Sequence, residues 1–264
     1  MKPLFLAVLF LLLLIPPAQA LDGLTAGEEA GVQSVVDGDT VVLDRTIAGA
    51  TQVRLTGIQA PKLPLGRKGF KEWPLAKEAK IALEKLILSK TVRLHYGNAR
   101  MDRHGRLLAH LTGPDGDWIQ GAMLRLGMAR VYTFPDNRAL ATDMQTAEAS
   151  ARTAQRGIWG HPFYRIRNAD PRALAEDIDT FQVIEGRVTG AADVRGVMYL
   201  NFGENWRDDF TVRVGRKAAR LFKSSKLGPA AYQGKRVQVR GWLKSWNGPM
   251  IEASHPEQIV VLEK

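Results

Sequence analysis

From Val32 onward the chain sets short apolar runs against polar, glycine-bearing breaks. Residues 32–36 and 40–43 read as two strands joined at Asp37-Gly38-Asp39, and residues 52–56 as a third. Pro61 and Pro64 then mark a loop that stays irregular through Trp73. Pro74 suits a first helical position, and Ala79, Leu83, Leu86 and Ile87 recur behind it at helical spacing. This predicts a helix over 74–89 with Lys77, Lys80 and Lys85 outside. Residues 91–96 and 106–111 alternate as strands about a turn at Asp102 to Gly105. Helices are predicted at 118–126 and 137–156, stopped by Gly127 and Gly157. Five strands with one helix between the third and fourth is the chain order of an OB-fold barrel.

After a Pro- and Arg-containing linker at 168–179, strands resume at 181–188, 197–202 and 210–214. A helix at 217–222 and strands at 237–243 and 258–262 follow. The pattern predicts a mainly β fold with helices, α+β in class: a five-stranded OB-fold barrel with three helices at 21–167, then a second, smaller OB-like barrel at 180–264. No short fixed repeat accompanies it, which excludes a solenoid.

Residues 1–20 stand apart from both units. Lys2 precedes an apolar run at 4–15, and Ala18-Gln19-Ala20 supplies a small-x-small ending, the signature of a secretory signal peptide cleaved near Ala20. The run is shorter than the roughly 20 residues that span a bilayer, so stable membrane insertion is not expected. The reading is an exported protein, periplasmic or secreted. With no cysteine in 264 residues, disulfide scaffolds and Cys-ligated metal centres are excluded.

The formal net charge of +10 is unevenly placed. Ten basic residues and no acid lie between Thr211 and Lys244, Arg213, Arg216, Lys217, Arg236 and Arg240 among them. A second basic excess runs from Lys62 to Arg106. Two such runs point to a polyanionic partner: nucleic acid, an anionic polymer or a membrane surface. In the second unit the basic stretch is interleaved with Trp242 and other aromatics, the mixture by which OB folds bind single strands; core packing explains some of the same rings.

Several motifs in order, Val36-Asp37-Gly38-Asp39-Thr40, Val53-Arg54-Leu55-Thr56-Gly57-Ile58, Pro61, Asp102-Arg103-His104-Gly105-Arg106 and Gly157-Ile158-Trp159, resemble the thermonuclease, or staphylococcal-nuclease-like, family over about residues 33–159. The resemblance implies calcium-dependent hydrolysis of phosphodiester bonds in DNA and RNA. It implies Asp39 as a calcium ligand supported by Asp37, and Arg54 and Arg106 as the phosphate clamp. Carboxylate oxygens suit a hard cation, and guanidiniums suit the charge that develops on phosphorus. Tyr132 and Phe134 fall near where the family stacks a base, and serve equally as core cover.

The pattern departs after Gly57-Ile58, where Gln59 stands for an expected carboxylate and Lys62 for the expected general-base glutamate. Gln59 retains a carbonyl that can ligate calcium, with reduced affinity. Lys62, a cation at neutral pH, cannot accept a proton from water, and is expected to contact phosphate instead. Loss of a general base typically removes about 10²- to 10⁴-fold in rate. Glu72 and Glu78 are the nearby carboxylates that could substitute. The expectation is an exported nucleic-acid-binding protein, single strands favoured, with weakened or lost hydrolysis. An active calcium-dependent endonuclease, and an envelope module for anionic polymers or a protein partner, are the alternatives.

Overall fold

In the computed structural model, the described residues are 21–262. The expected leader lies outside them.

The first barrel is closed, with strand order β1 (Thr25–Asp37), β2 (Thr40–Ile47), β3 (Ala50–Leu55), β6 (Leu107–Thr112) and β5 (Thr91–Tyr96), β5 returning to β1. Closure depends on the length of β1: its first half pairs with β5 from Thr25 to Gly31, and its second half with β2 from Val32 to Asp37. β3 and β6 run parallel, the crossover carrying β4 (Ile58–Gln59) and α1 (Ala76–Ile87). Ala76, Ala79, Leu83 and Ile87 form the buried stripe of α1. Val41, Val53, Leu55, Leu94 and Leu111 fill the barrel. α2 (Ile119–Arg125), β7 (Arg130–Val131) and α3 (Ala141–Thr153) complete the unit. The predicted helix at 137–156 is thus shorter at both ends.

Two short features align the site. β4 pairs antiparallel with β7, setting Gln59 opposite Arg130, while the β2–β3 ladder sets Thr40 opposite Arg54.

The linker is built into the second unit. β8 (Arg167–Asn168) pairs with β9 (Phe181–Arg187), and α4 (Pro171–Leu174) buries Leu174 in the second core. Beyond β9 lie β10 (Gly190–Val194), β11 (Val197–Asn201), β12 (Thr211–Val214), α5 (Arg216–Ser224), β13 (Arg236–Ser245), β14 (Pro249–Glu252) and β15 (Ile259–Val261). The ladder runs β10-β11-β12-β14-β13-β9-β8, with β12 and β14 parallel and β15 branching from β13. This is not a closed ring of hydrogen bonds like the first. β9 and β10 are consecutive, however, and the chain changes partners between Val188, which bonds Lys235, and Thr189, which bonds Asn201. β14 was not among the expected strands, and the strand expected at 258–262 is β15, which pairs with β13.

The two units are pinned together. Arg240 on β13 reaches into the first barrel, where its Nη2 and Nη1 donate to Glu148 of α3 at 2.8 and 3.1 Å. Glu148 Oε1 also accepts the Val131 N–H at 2.7 Å, so the carboxylate joins α3, β7 and the second unit. His255 Nε2 lies 2.7 Å from Thr133 Oγ1, and Arg138 pairs with Glu257 at 3.5 Å.

Burial, and then the nearby Arg138 charge, push His255 down to about 4. An unfolded histidine titrates near 6.5. The contribution of neutral His255 to stability is therefore complete above about pH 6.5 and is lost as the pH falls through about 4. The urea midpoint is expected to drop between pH 7 and 4, less steeply in His255→Asn. His110, buried and likewise pushed down to about 3, retains part of the slope in that variant. Parallel pH profiles for the two proteins would contradict this assignment.

Candidate functional site

The Asp37-Gly38-Asp39 turn is packed tightly into the barrel. A Cβ on Gly38 would come within 2.6 Å of the Ala60 Cβ and 2.8 Å of the Ala79 Cβ, so only glycine fits between the turn and α1. Asp37 Oδ1 accepts the Asp39 N–H at 3.1 Å, and Asp39 Oδ2 accepts the Ala60 N–H at 2.8 Å. Asp37 is 4 % exposed and Asp39 not at all.

Two buried carboxylates side by side need counter-charge. Lys62 supplies it: Nζ lies 2.7 and 2.6 Å from the two oxygens of Asp39 and 3.3 Å from Asp37 Oδ2. Arg54 Nη2 lies 3.3 Å from Asp39 Oδ2, and the same nitrogen donates to the Ile58 carbonyl at 2.6 Å. Two formal negative charges thus face two formal positive ones. Burial by itself would raise Asp39, but Arg54, Lys62 and the Ala60 N–H outweigh it and hold the carboxyl well below the usual range. Asp37 is raised, by burial first and then by the Asp39 charge, with Lys62 opposing both.

Two of the expected site residues have partners within the protein. The Lys62 ammonium is directed at the aspartates, which would otherwise be buried without sufficient counter-charge. Gln59 Oε1 accepts from Arg130 Nε at 3.0 Å and Nη2 at 2.7 Å, a consequence of the β4–β7 register.

Calcium takes about six to eight oxygen ligands. Among the described residues no cluster of three or more His, Cys, Asp or Glu side chains could hold a metal. The two aspartates face an ammonium and the glutamine faces a guanidinium, so the donor set does not fit the ion. Of the two carboxylates considered as substitute bases, Glu72 pairs with Lys77 at 3.6 Å, and Glu78 lies exposed in the first turn of α1.

The two arginines expected to clamp a phosphate and the two aromatics share one cavity. Arg54, Arg106, Tyr132 and Phe134 line one cavity of about 620 Å³ with Arg103, His104 and Trp242, whereas Asp37, Asp39, Gln59 and Lys62 are absent from its lining. Arg106 is held by Asp102, Nε to Oδ2 at 2.8 Å, while Asp102 Oδ1 accepts the His104 and Arg106 N–H groups at 2.8 and 3.0 Å. Burial opposes the ionisation of Asp102, but these bonds prevail and lower it.

The basic residues of the second unit divide. Arg216 and Lys217 are exposed on α5; Arg213 pairs with Glu252, and Arg236 with Glu185 at 3.0 Å. Arg240, expected at a nucleic-acid face, is 2 % exposed and bound to Glu148, so it serves the seam between the units. Trp242 is at the cleft. Arg130, Glu148 and His255 carry no motif in the sequence, since their roles arise from pairings across 71, 92 and 122 positions.

A family model described as staphylococcal nuclease homologue matches residues 52–161. The chain is 29 % identical over 133 residues to a "Thermonuclease" of Staphylococcus intermedius, covering 50 % of this chain and 77 % of that one. It is 31 % identical over 129 residues to an "Uncharacterized endonuclease" of Escherichia coli O157:H7, covering 48 % of this chain and 74 % of that one.

The chain belongs to the staphylococcal nuclease homologue family. The likeness to "Endonuclease YhcR" of Bacillus subtilis, 31 % over 141 residues, spans only 12 % of that larger protein. The family match ends at residue 161, so the second unit lies outside it. Within this staphylococcal nuclease homologue, the closed five-stranded barrel of the family is kept.

Proposed function

We propose that this chain binds nucleic acid, single strands in preference to duplex, and has lost metal-dependent phosphodiester hydrolysis. The observation that carries the reading is the position of the Lys62 ammonium, within 2.7 Å of both oxygens of Asp39. A cation belonging to the protein itself satisfies the buried carboxylates, and lysine at this place supplies no base for an attacking water. What remains of the site is a basic cleft with an exposed ring. Arg103, which has no carboxylate partner among the described residues, offers positive charge to a phosphate, with Arg54 and Arg106 beside it paired to Asp39 and Asp102, and Phe134, 49 % exposed, offers a stacking face.

Export belongs to the same reading and rests on the pattern of residues 1–20. Recovery of the protein from the envelope fraction with Leu21 at its N-terminus supports it; an intact N-terminus in the cytosol refutes it. Among the described residues no helix is long and apolar enough to cross a membrane.

For the loss of hydrolysis, the test is cleavage of a fluorescent single-stranded DNA by the purified protein with calcium or with chelator. No calcium-dependent cleavage above an Asp39→Ala control is expected. Cleavage that requires calcium and is abolished by Asp39→Ala would overturn the reading. For binding, phosphate neutralisation makes log K fall linearly with log salt, by about 0.7 per contact on single strands.

A further inference from the structure

The cleft does not end with the first barrel. A second cavity of about 470 Å³ adjoins it across the seam, and Tyr132, Phe134 and Trp242 line both. Each cavity is of a size that accommodates small ligands. The rings between them are fixed in place. Tyr132 meets Phe134 edge-on at 4.8 Å and Phe181 at 5.0 Å, and the Trp242 Nε1–H donates to Tyr132 Oη at 3.0 Å.

Trp242 is not required by the core of its own unit. It occupies an outward position on β13, between buried Gly241 and Leu243, and remains 43 % exposed. Its polar edge is already satisfied by the other barrel, which leaves an apolar ring surface at the mouth of both cavities. A ring ordered in advance loses little further freedom when a flat ligand stacks on it. Charge is available on both sides, from Arg103 in the first cavity and Lys244 in the second.

We propose that the seam between the two units is a second nucleotide subsite, in which Trp242 stacks an unpaired base of a strand whose preceding bases are held in the first-barrel cleft. A single strand then crosses from one cavity to the other. This rests on the nucleic-acid-binding reading above and adds to it a contribution from outside the family domain. A duplex, whose bases are already paired and stacked, cannot present a face to the ring. The polar side chains of the second cavity are engaged elsewhere: Glu252 with Arg213, and Ser254 with Gln258. Recognition there is by base face and phosphate charge, so base identity matters little.

The test is fluorescence anisotropy with labelled thymidine oligonucleotides of two and six residues, using the full chain, Trp242→Ala and Trp242→Phe. Thermal midpoints monitor docking of the units. The parent should bind the hexamer more tightly than the dimer. Trp242→Ala should weaken hexamer binding by at least about fivefold while changing dimer binding by less than about twofold. Trp242→Phe, which keeps a ring but no N–H donor, should retain most of the hexamer affinity. Equal hexamer binding by the parent and Trp242→Ala overturns the subsite. So does an equal loss for both lengths in Trp242→Ala and Trp242→Phe, which would reduce Trp242 to a support for Tyr132. A parent that binds neither oligonucleotide overturns the underlying function instead.

Discussion

Lys62→Glu combined with Gln59→Asp is expected to raise calcium-dependent cleavage of single-stranded DNA by about 10²- to 10⁴-fold over the parent, the range associated with a positioned general base. Two physical changes are joined in that variant. The first removes the ammonium that lies 2.6 to 3.3 Å from the aspartates and leaves a carboxylate in its place. Asp37 and Asp39 then have only Arg54 to offset them, a charge deficit that a divalent cation relieves. The second exchanges the Gln59 oxygen, now bound to Arg130, for a charged carboxylate on a shorter stem. Lys62→Glu alone should give most of the gain in calcium binding, because the lysine is the group in direct competition with the ion. If the double variant folds, binds calcium and still fails to cleave, the inactivity proposed for the parent has another cause than these two positions.

The largest loss of stability is expected at the seam. Arg240→Ala leaves Glu148 fully buried, keeping the Val131 N–H and a 3.5 Å contact with Arg152 but no bidentate guanidinium. Removing one partner of a buried ion pair costs about 3–5 kcal/mol. For a chain of this size that lowers the thermal midpoint by on the order of 10 °C. Replacing both partners, with Arg240→Met and Glu148→Gln, should recover most of the loss: the uncompensated charge is gone, and the amide oxygen that replaces the carboxylate still accepts the Val131 N–H. Unfolding by urea, followed for the single and double variants, separates the cases. A single variant within about 1 kcal/mol of the parent would mean that the seam is wet or loosely formed.

The strands and α1 of the first barrel were legible because their apolar positions follow a period of two or 3.6. The first half of β1 was not. Thr25 to Gly31 is mostly exposed, with glycine and paired glutamates, and forms a strand only because β5 supplies its partners. β10 escaped for the same reason, and β14 because four residues hold too little pattern to register. The candidate site was legible in its parts and hidden in its wiring. Sequence order singled out Asp37, Asp39, Arg54 and Arg106 as candidates, and it flagged Gln59 and Lys62 as departures. It could not show that Lys62 turns inward to Asp39 rather than outward to a ligand, since side-chain direction there depends on Asp39 being wholly buried. Nor could it pair Gln59 with Arg130 or Arg240 with Glu148, because strand register and domain docking bring those residues together.

The central claim is that the Lys62 ammonium holds the place a metal ion would need. The most direct measurement is the thermal unfolding midpoint of the full chain with millimolar calcium and with chelator, beside Lys62→Gln. An ion that binds only the folded state raises stability by RT ln(1 + [L]/Kd). The account predicts an unchanged midpoint for the parent and a calcium-dependent rise for Lys62→Gln. A rise of several degrees in the parent, lost in Asp39→Ala, would show that calcium displaces the lysine, and would contradict the account.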